Sequence, residues 1–238
     1  MARGLIALVG GNEFLPPARS LDDFLVKRSG VKEVAVVPTA AALQNPSRSI
    51  ATARRHFKHL GAKVTQVMVL NQKDAFDERF VEQIRNAAFI YLTGGNPRRT
   101  AKVFADSPFW EAVVEANARG SVLAGSSAGA MILCERMLVP KWKRDEEGLG
   151  LLPGILVLPH HDAWIRRIHK VTRSNAVRGL DVVGIDECTG LILERQKAHI
   201  LGAGSVTIYR DARAIWERSS PWRGEGREFP LLKKALWE

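Results

Sequence analysis

The chain has 238 residues, 46% of them hydrophobic and 25% charged, and a formal net charge of +10. That composition provides core enough for a large α/β domain and is too apolar for a disordered chain. Two cysteines, Cys134 and Cys188, lie outside any CxxC or Cys/His cluster, which argues against a disulfide framework or a zinc site and suits a reducing cytoplasm.

The opening "MARGLIALVGGNEF" is too short an apolar run for a signal peptide and reads as a first buried strand. No apolar stretch reaches the ~20 residues that span a bilayer, so no membrane partner is expected. "LIALVG" (5–10), "EVAVVPT" (33–39), "KVTQVMVL" (63–70), "AFIYLTG" (88–94) and "GSVLAG" (120–125) are short, continuous and apolar, the pattern of strands buried on both sheet faces. Between them "SRSIATARRHFKHLG", "AFDERFVEQIRNA" and "SPFWEAVVEANARG" carry helical spacing, with Gly61 and Gly120 as stop signals. This alternation predicts one α/β domain over 1–238, doubly wound, with a mostly parallel central sheet and helices on both faces. After residue 150, "GILVLP", "VVGIDECTGLILE" and "AHILGAGSVTIYR" read as strands of a mixed or antiparallel extension of that same sheet. The Gly/Pro-punctuated tail from "SSPWRGEG" onward is expected to pack late or to join an oligomer contact, and a homodimer is a candidate assembly.

The positive charge is dispersed. Its densest run is "WIRRIHKVTRSNAVR" (164–178), where Arg166, Lys170 and Arg173 share a helical face. A solvated face accounts for it better than a nucleic-acid patch, for which no motif is present.

The stretch with most chemistry in it is "SVLAGSSAGAMIL" (121–133). An apolar strand stops at Gly125 and a helix starts at the small residues that follow. In an open α/β sheet, ligands collect beyond the carboxyl ends of the strands. Gly-Ser-Ser-Ala-Gly sets Ser127 between glycines two residues away on each side, the Gly-x-Ser-x-Gly spacing of a nucleophile elbow. A tight packing corner is the plainer reading of the same residues. Two other stretches favour the nucleophile. "IYLTGGN" (90–96) ends a strand in Gly-Gly-Asn, so the amide of Gly95, with that of Ala128, forms a candidate oxyanion hole. "LVLPHHD" (156–162) ends a strand in two histidines, and a serine hydroxyl needs a base. Because side chains alternate along a strand, His160 and His161 are not both expected to face the serine.

Together "GSSAGA", "LTGGN", "VVPTA", "GLGLLPG…PHH" and "GIDE.TGL" resemble serine peptidase family S51, which contains aspartyl dipeptidase and cyanophycinase. The matches run in the family's order from residue 5 to about 206. The resemblance implies a fold like that of the class I glutamine amidotransferases, whose elbow carries cysteine where this chain has Ser127. It implies Ser127 as nucleophile, His160 as the histidine with His161 second, Gly95 and Ala128 as the oxyanion hole, and Asn96 in the substrate pocket. The third member is open. Trp142 stands where the dipeptidase has its aspartate, and the acids nearby in "KWKRDEEG" are Asp145, Glu146 and Glu147, with Glu135 a further alternative. Asp145 is the first choice. Arg166 falls at a matching arginine position and is expected to pair with a substrate carboxylate. The partner implied is a small peptide or isopeptide with an acidic residue at the cleaved side, and no cofactor or metal is expected. A binding protein that keeps the fold but has lost the acid is the competing reading.

Overall fold

The computed structural model describes residues 4–138, 145–164, 171–173, 177–194 and 197–225. The chain alternates β1 (Ile6–Val9), α1 (Arg19–Ser29), β2 (Glu33–Val37), α2 (Pro46–His59), β3 (Lys63–Gln66), α3 (Glu78–Arg85) and β4 (Phe89–Leu92). Then come α4 (Pro97–Phe104), α5 (Pro108–Ala118), β5 (Val122–Ser126) and α6 (Ala128–Leu133). A hairpin follows, of β6 (Arg136–Leu138) and β7 (Asp145–Glu147), then β8 (Ile155–Pro159) and a short α7 (His161–Trp164). The chain continues as β9 (Asp181–Ile185), β10 (Thr189–Glu194), β11 (Lys197–Gly202), β12 (Ser205–Arg210), β13 (Arg213–Ser219) and β14 (Trp222–Glu225).

The large sheet has the order β14-β11-β10-β1-β5-β4-β2-β3. β1, β5, β4, β2 and β3 pair in parallel, while β10, β11 and β14 extend it antiparallel beyond β1. Alternate residues of each central strand supply alternate faces. Leu5, Ala7 and Val9 pack with Leu21, Leu25, Ile50 and Phe57 of α1 and α2. Ile6 and Leu8 pack on the other face with residues of α3, α5 and α6 such as Ile84, Phe109 and Ile132. Burial on both faces is why these strands read as unbroken apolar runs rather than as alternating ones. α1 lay outside the sequence reading, although Pro16 and Pro17 precede it and Gly30, at φ 70°, caps it.

One expectation is corrected. β10, β11 and β14 do extend the central sheet, but β8, β9, β12 and β13 do not. They form a second sheet of order β13-β12-β9-β8, in which β8 and β9 are parallel. Its inner residues Ile155, Val157, Val183, Ile185, Val206 and Ile208 join the same core as Ile6, Leu8 and α6. Sequence shows that a segment is extended, but not which edge it pairs with. The chain crosses from the small sheet to the large one through Asp186–Cys188, between β9 and β10. Arg166 and Lys170 of the basic run, and Trp142, lie outside the described residues. Among the described residues no helix is long and apolar enough to cross a membrane.

Candidate active site

β5 ends at Ser126 and α6 begins at Ala128, leaving Ser127 as the single residue of the turn. Its backbone takes φ 47° and ψ −109°, a conformation sparsely populated for a residue with a side chain. The turn is this sharp because small residues let the chain double back. A Cβ on Gly125 would lie 2.4 Å from the Gly129 carbonyl oxygen, and one on Gly129 would lie 2.4 Å from that of Leu92. Serine at a helix N-cap usually turns its hydroxyl onto the helix amides. Ser127 makes no such capping bond. Its Oγ lies 3.0 Å from Nε2 of His160 instead.

His160 follows the last residue of β8 and also has a positive φ, 53°. Its amide donates to the Gly10 carbonyl at 2.7 Å, which ties it to the end of β1. The imidazole lies across Gly11, where an added Cβ would come within 2.2 Å of Cε1. Nδ1 of His160 lies 2.7 Å from Oε1 of Glu187, and Asn12 Nδ2 donates to the other carboxylate oxygen. A carboxylate facing Nδ1 fixes the proton there, so Nε2 is left as the acceptor for the serine hydroxyl. Ser127, His160 and Glu187 therefore form a continuous chain of hydrogen bonds. His160 and Glu187 keep about a third of their side-chain surface, so the chain borders solvent rather than being sealed.

The place against Nδ1 that the sequence reading gave to Asp145 is held by Glu187. Asp145 opens β7, where its backbone pairs with Leu138. Glu146 forms an ion pair with Arg98, and Glu135 accepts the Gly154 amide at 2.6 Å. Glu147 stands opposite Arg136 in the hairpin. The signal for Glu187 was present in "GIDE". Parallel pairing of β8 with β9 sets Pro159 against Ile185, so the residues just past both strand ends meet.

His161 turns the other way. Its Nδ1 lies 3.0 Å from Asp186 Oδ1 and its Nε2 lies 2.8 Å from the Tyr209 hydroxyl. Burial alone would raise the Asp186 carboxyl, but the bonds from His161 and from the Ser205 amide outweigh it and hold the group below its ordinary value. Two parallel dyads thus bridge β8 and the β9–β10 crossing, and one of them reaches the serine. Cys188, beside Glu187, is pushed above its ordinary pKa by burial and then by the carboxylates of Glu187, Asp162, Asp22 and Glu13. It stays a thiol at neutral pH and offers no competing nucleophile.

The turn after β4 passes directly beside Ser127. A Cβ on Gly94 would lie 3.3 Å from that of Ser127. Gly95 has φ 141°, open to glycine alone, and is exposed. Asn96 is the N-cap of α4, its Oδ1 accepting the Arg99 amide at 3.1 Å. Among the described residues no protein acceptor takes the amides of Gly95 or Ala128. Arg166 lies outside the described residues. Among those described, no group of three or more His, Cys, Asp or Glu is arranged to hold a metal ion.

The chain matches the model of Peptidase family S51 over residues 5–201. The chain belongs to peptidase family S51. It is similar to the cyanophycinase of Nostoc sp., at 26% identity over 216 residues, covering 85% of this chain and 72% of that one. It is also 26% identical, over 230 residues, to a probable alpha-aspartyl dipeptidase of Drosophila melanogaster, covering 88% of this chain and 90% of that one. Among solved structures it resembles a peptidase from an acI-B1 Actinobacterium, with TM-score 0.83 and 26% identity over 94% of this chain and 97% of that one. A putative peptidase E from Listeria monocytogenes shares the fold, with TM-score 0.64 and 16% identity over 85% of this chain and all of that one. The S51 chain is thus a serine-type peptidase with a mostly parallel central sheet and helices on both faces.

The closeness of Gly11 to the imidazole sets an expectation for this peptidase. In Gly11→Ala the new methyl forces the ring to move by about 1 Å, and a displacement of that size costs on the order of 100-fold in rate. The variant should keep its circular dichroism while kcat falls. A rate within twofold of wild type would mean that the imidazole needs no fixed seat.

Proposed function

We propose that this S51 peptidase hydrolyses small peptides or isopeptides at an aspartyl residue by a Ser127–His160–Glu187 triad. The observation that carries the reading is the unbroken chain from Ser127 Oγ through His160 to the Glu187 carboxylate, at 3.0 and 2.7 Å. Ser127 attacks the scissile carbonyl carbon as Nε2 of His160 takes its proton. Glu187 holds the tautomer and stabilises the imidazolium that forms. The amides of Gly95 and Ala128 receive the oxyanion, the second at a helix N-terminus whose dipole favours negative charge. His160 then returns the proton to the leaving amine, and water repeats the sequence on the acyl-enzyme.

The aspartyl preference is supported by the names of the relatives, a cyanophycinase and a probable alpha-aspartyl dipeptidase. On this reading Arg166 pairs with the substrate carboxylate and Asn96 lines the pocket. The competing reading, a binding protein without an acid, loses its motive once Glu187 stands in the acid's place. We place the protein in the cytoplasm, which suits its two free thiols.

The test combines two measurements. Wild type should be labelled by a fluorophosphonate at Ser127, mapped by mass spectrometry, and should turn over Asp-X or β-aspartyl dipeptides. Labelling without turnover of any aspartyl peptide would remove the substrate class and leave the nucleophile. No labelling and no turnover would remove the hydrolase.

A further inference from the structure

Glu13 has no part in the triad, yet its carboxylate touches both segments that border the nucleophile. Oε1 accepts the Gly94 amide at 2.8 Å, and Oε2 accepts the Ser126 hydroxyl at 2.7 Å. Gly94 immediately precedes Gly95 in the turn after β4. Ser126, fully buried, immediately precedes Ser127 at the end of β5. No cation among the described residues pairs with Glu13. The side chain springs from the loop after β1, the strand paired with β5. It thus fastens two neighbouring strand ends from a third segment.

Resting on the triad reading above, we infer that Glu13 is the positioning residue of the oxyanion hole: one carboxylate sets the distance between the Gly94–Gly95 turn and the Ser127–Ala128 elbow. The two proposed donor amides sit on separate segments, and among the described residues no other side chain bonds both segments. Backbone bonds from the Thr93 amide to the Val37 carbonyl at 3.2 Å and from the Asn96 amide to the Ala40 carbonyl at 2.9 Å also hold the turn, but neither reaches across to the Ser127 elbow. Preorganised donors stabilise an oxyanion only while their geometry is fixed before the charge develops. The charge of Glu13 is not what the role requires. A negative carboxylate beside a developing oxyanion is unfavourable, so the role is one of shape, and a neutral amide can fill it. In Glu13→Gln the amide oxygen still accepts from Gly94 N–H while the amide nitrogen donates to Ser126 Oγ, whose proton turns away.

The experiment measures the fluorophosphonate reaction at Ser127 as a function of probe concentration, which separates the maximal rate from the concentration for half-saturation without any knowledge of the natural substrate. Glu13→Ala should lower the maximal rate at least about 10-fold and leave half-saturation within about threefold. Glu13→Gln should restore at least half of the wild-type rate, and Ser126→Ala, which removes one of the two contacts, should fall between. Should Glu13→Ala fail to fold, the ordering of Ser126→Ala below Glu13→Gln decides the matter. An alanine variant that reacts as fast as wild type overturns the inference, as does a loss confined to half-saturation or a glutamine variant no better than alanine. Each of those leaves the triad standing. A wild type that does not react overturns the triad reading, and this inference with it.

Discussion

Ser127→Ala is expected to remove between about 10³ and 10⁶ of the hydrolytic rate, since knocking out the nucleophile of a serine triad costs as much as removing the whole triad. Folding should be untouched. The side chain makes no capping bond, and its partner His160 stays held by Gly10 and Glu187. A second substitution at the same position separates chemistry from strain. At φ 47° and ψ −109° any residue with a Cβ stores on the order of 1–3 kcal/mol. Ser127→Gly should therefore be as inactive as Ser127→Ala yet melt at a higher temperature, the gain in the folded state being offset in part by the freer unfolded chain. Measuring kcat and thermal unfolding on both variants decides it. An alanine variant that keeps more than a few per cent of activity would mean that Ser127 is not the attacking group.

Glu187→Gln carries the second largest expected loss, about 10⁴ in kcat, by the precedent of an acid-to-amide change in a serine triad. The amide nitrogen of glutamine donates to Nδ1 and so selects the tautomer protonated at Nε2, which cannot accept the serine proton. The contact at 2.7 Å survives in length and fails in sense. Asp145→Asn, by contrast, should leave the rate within about twofold, since on the triad reading Asp145 makes no interaction that the transition state needs. Steady-state kinetics on the two variants side by side give the answer. A strong loss at Asp145 with little at Glu187 would return the acid to the hairpin.

The different fates of these two acids show where the sequence is legible. Strands such as "LIALVG" and "GSVLAG" were readable because burial on both faces leaves an uninterrupted apolar run. The elbow at Ser127 was readable because a strand-to-helix turn imposes small residues at fixed spacing, and the strand end at His160 because an apolar run stops there. All of these are local constraints. Glu187 lies 27 positions beyond His160, and what joins them is the parallel pairing of β8 with β9. No residue spacing encodes that pairing. The acids of "KWKRDEEG" were nearer in sequence and drew the assignment, while in space they belong to a hairpin that uses Glu146 for Arg98. The division of the later strands between two sheets escaped for the same reason, since β9 and β12 are as apolar as β10 and β11.

The proposed triad is drawn from two sheets. Ser127 comes from the large one. His160 and Glu187 come from the end of the small one and from the segment where the chain leaves it. On the triad reading, activity is a measure of how the two sheets are docked, and not of either alone. Neither sheet could be transplanted with that chemistry intact, because each holds an incomplete set of the proposed reacting groups. A ligand or solution condition that loosens the small sheet would silence the enzyme while most of the helical signal, which belongs to the large sheet, persists.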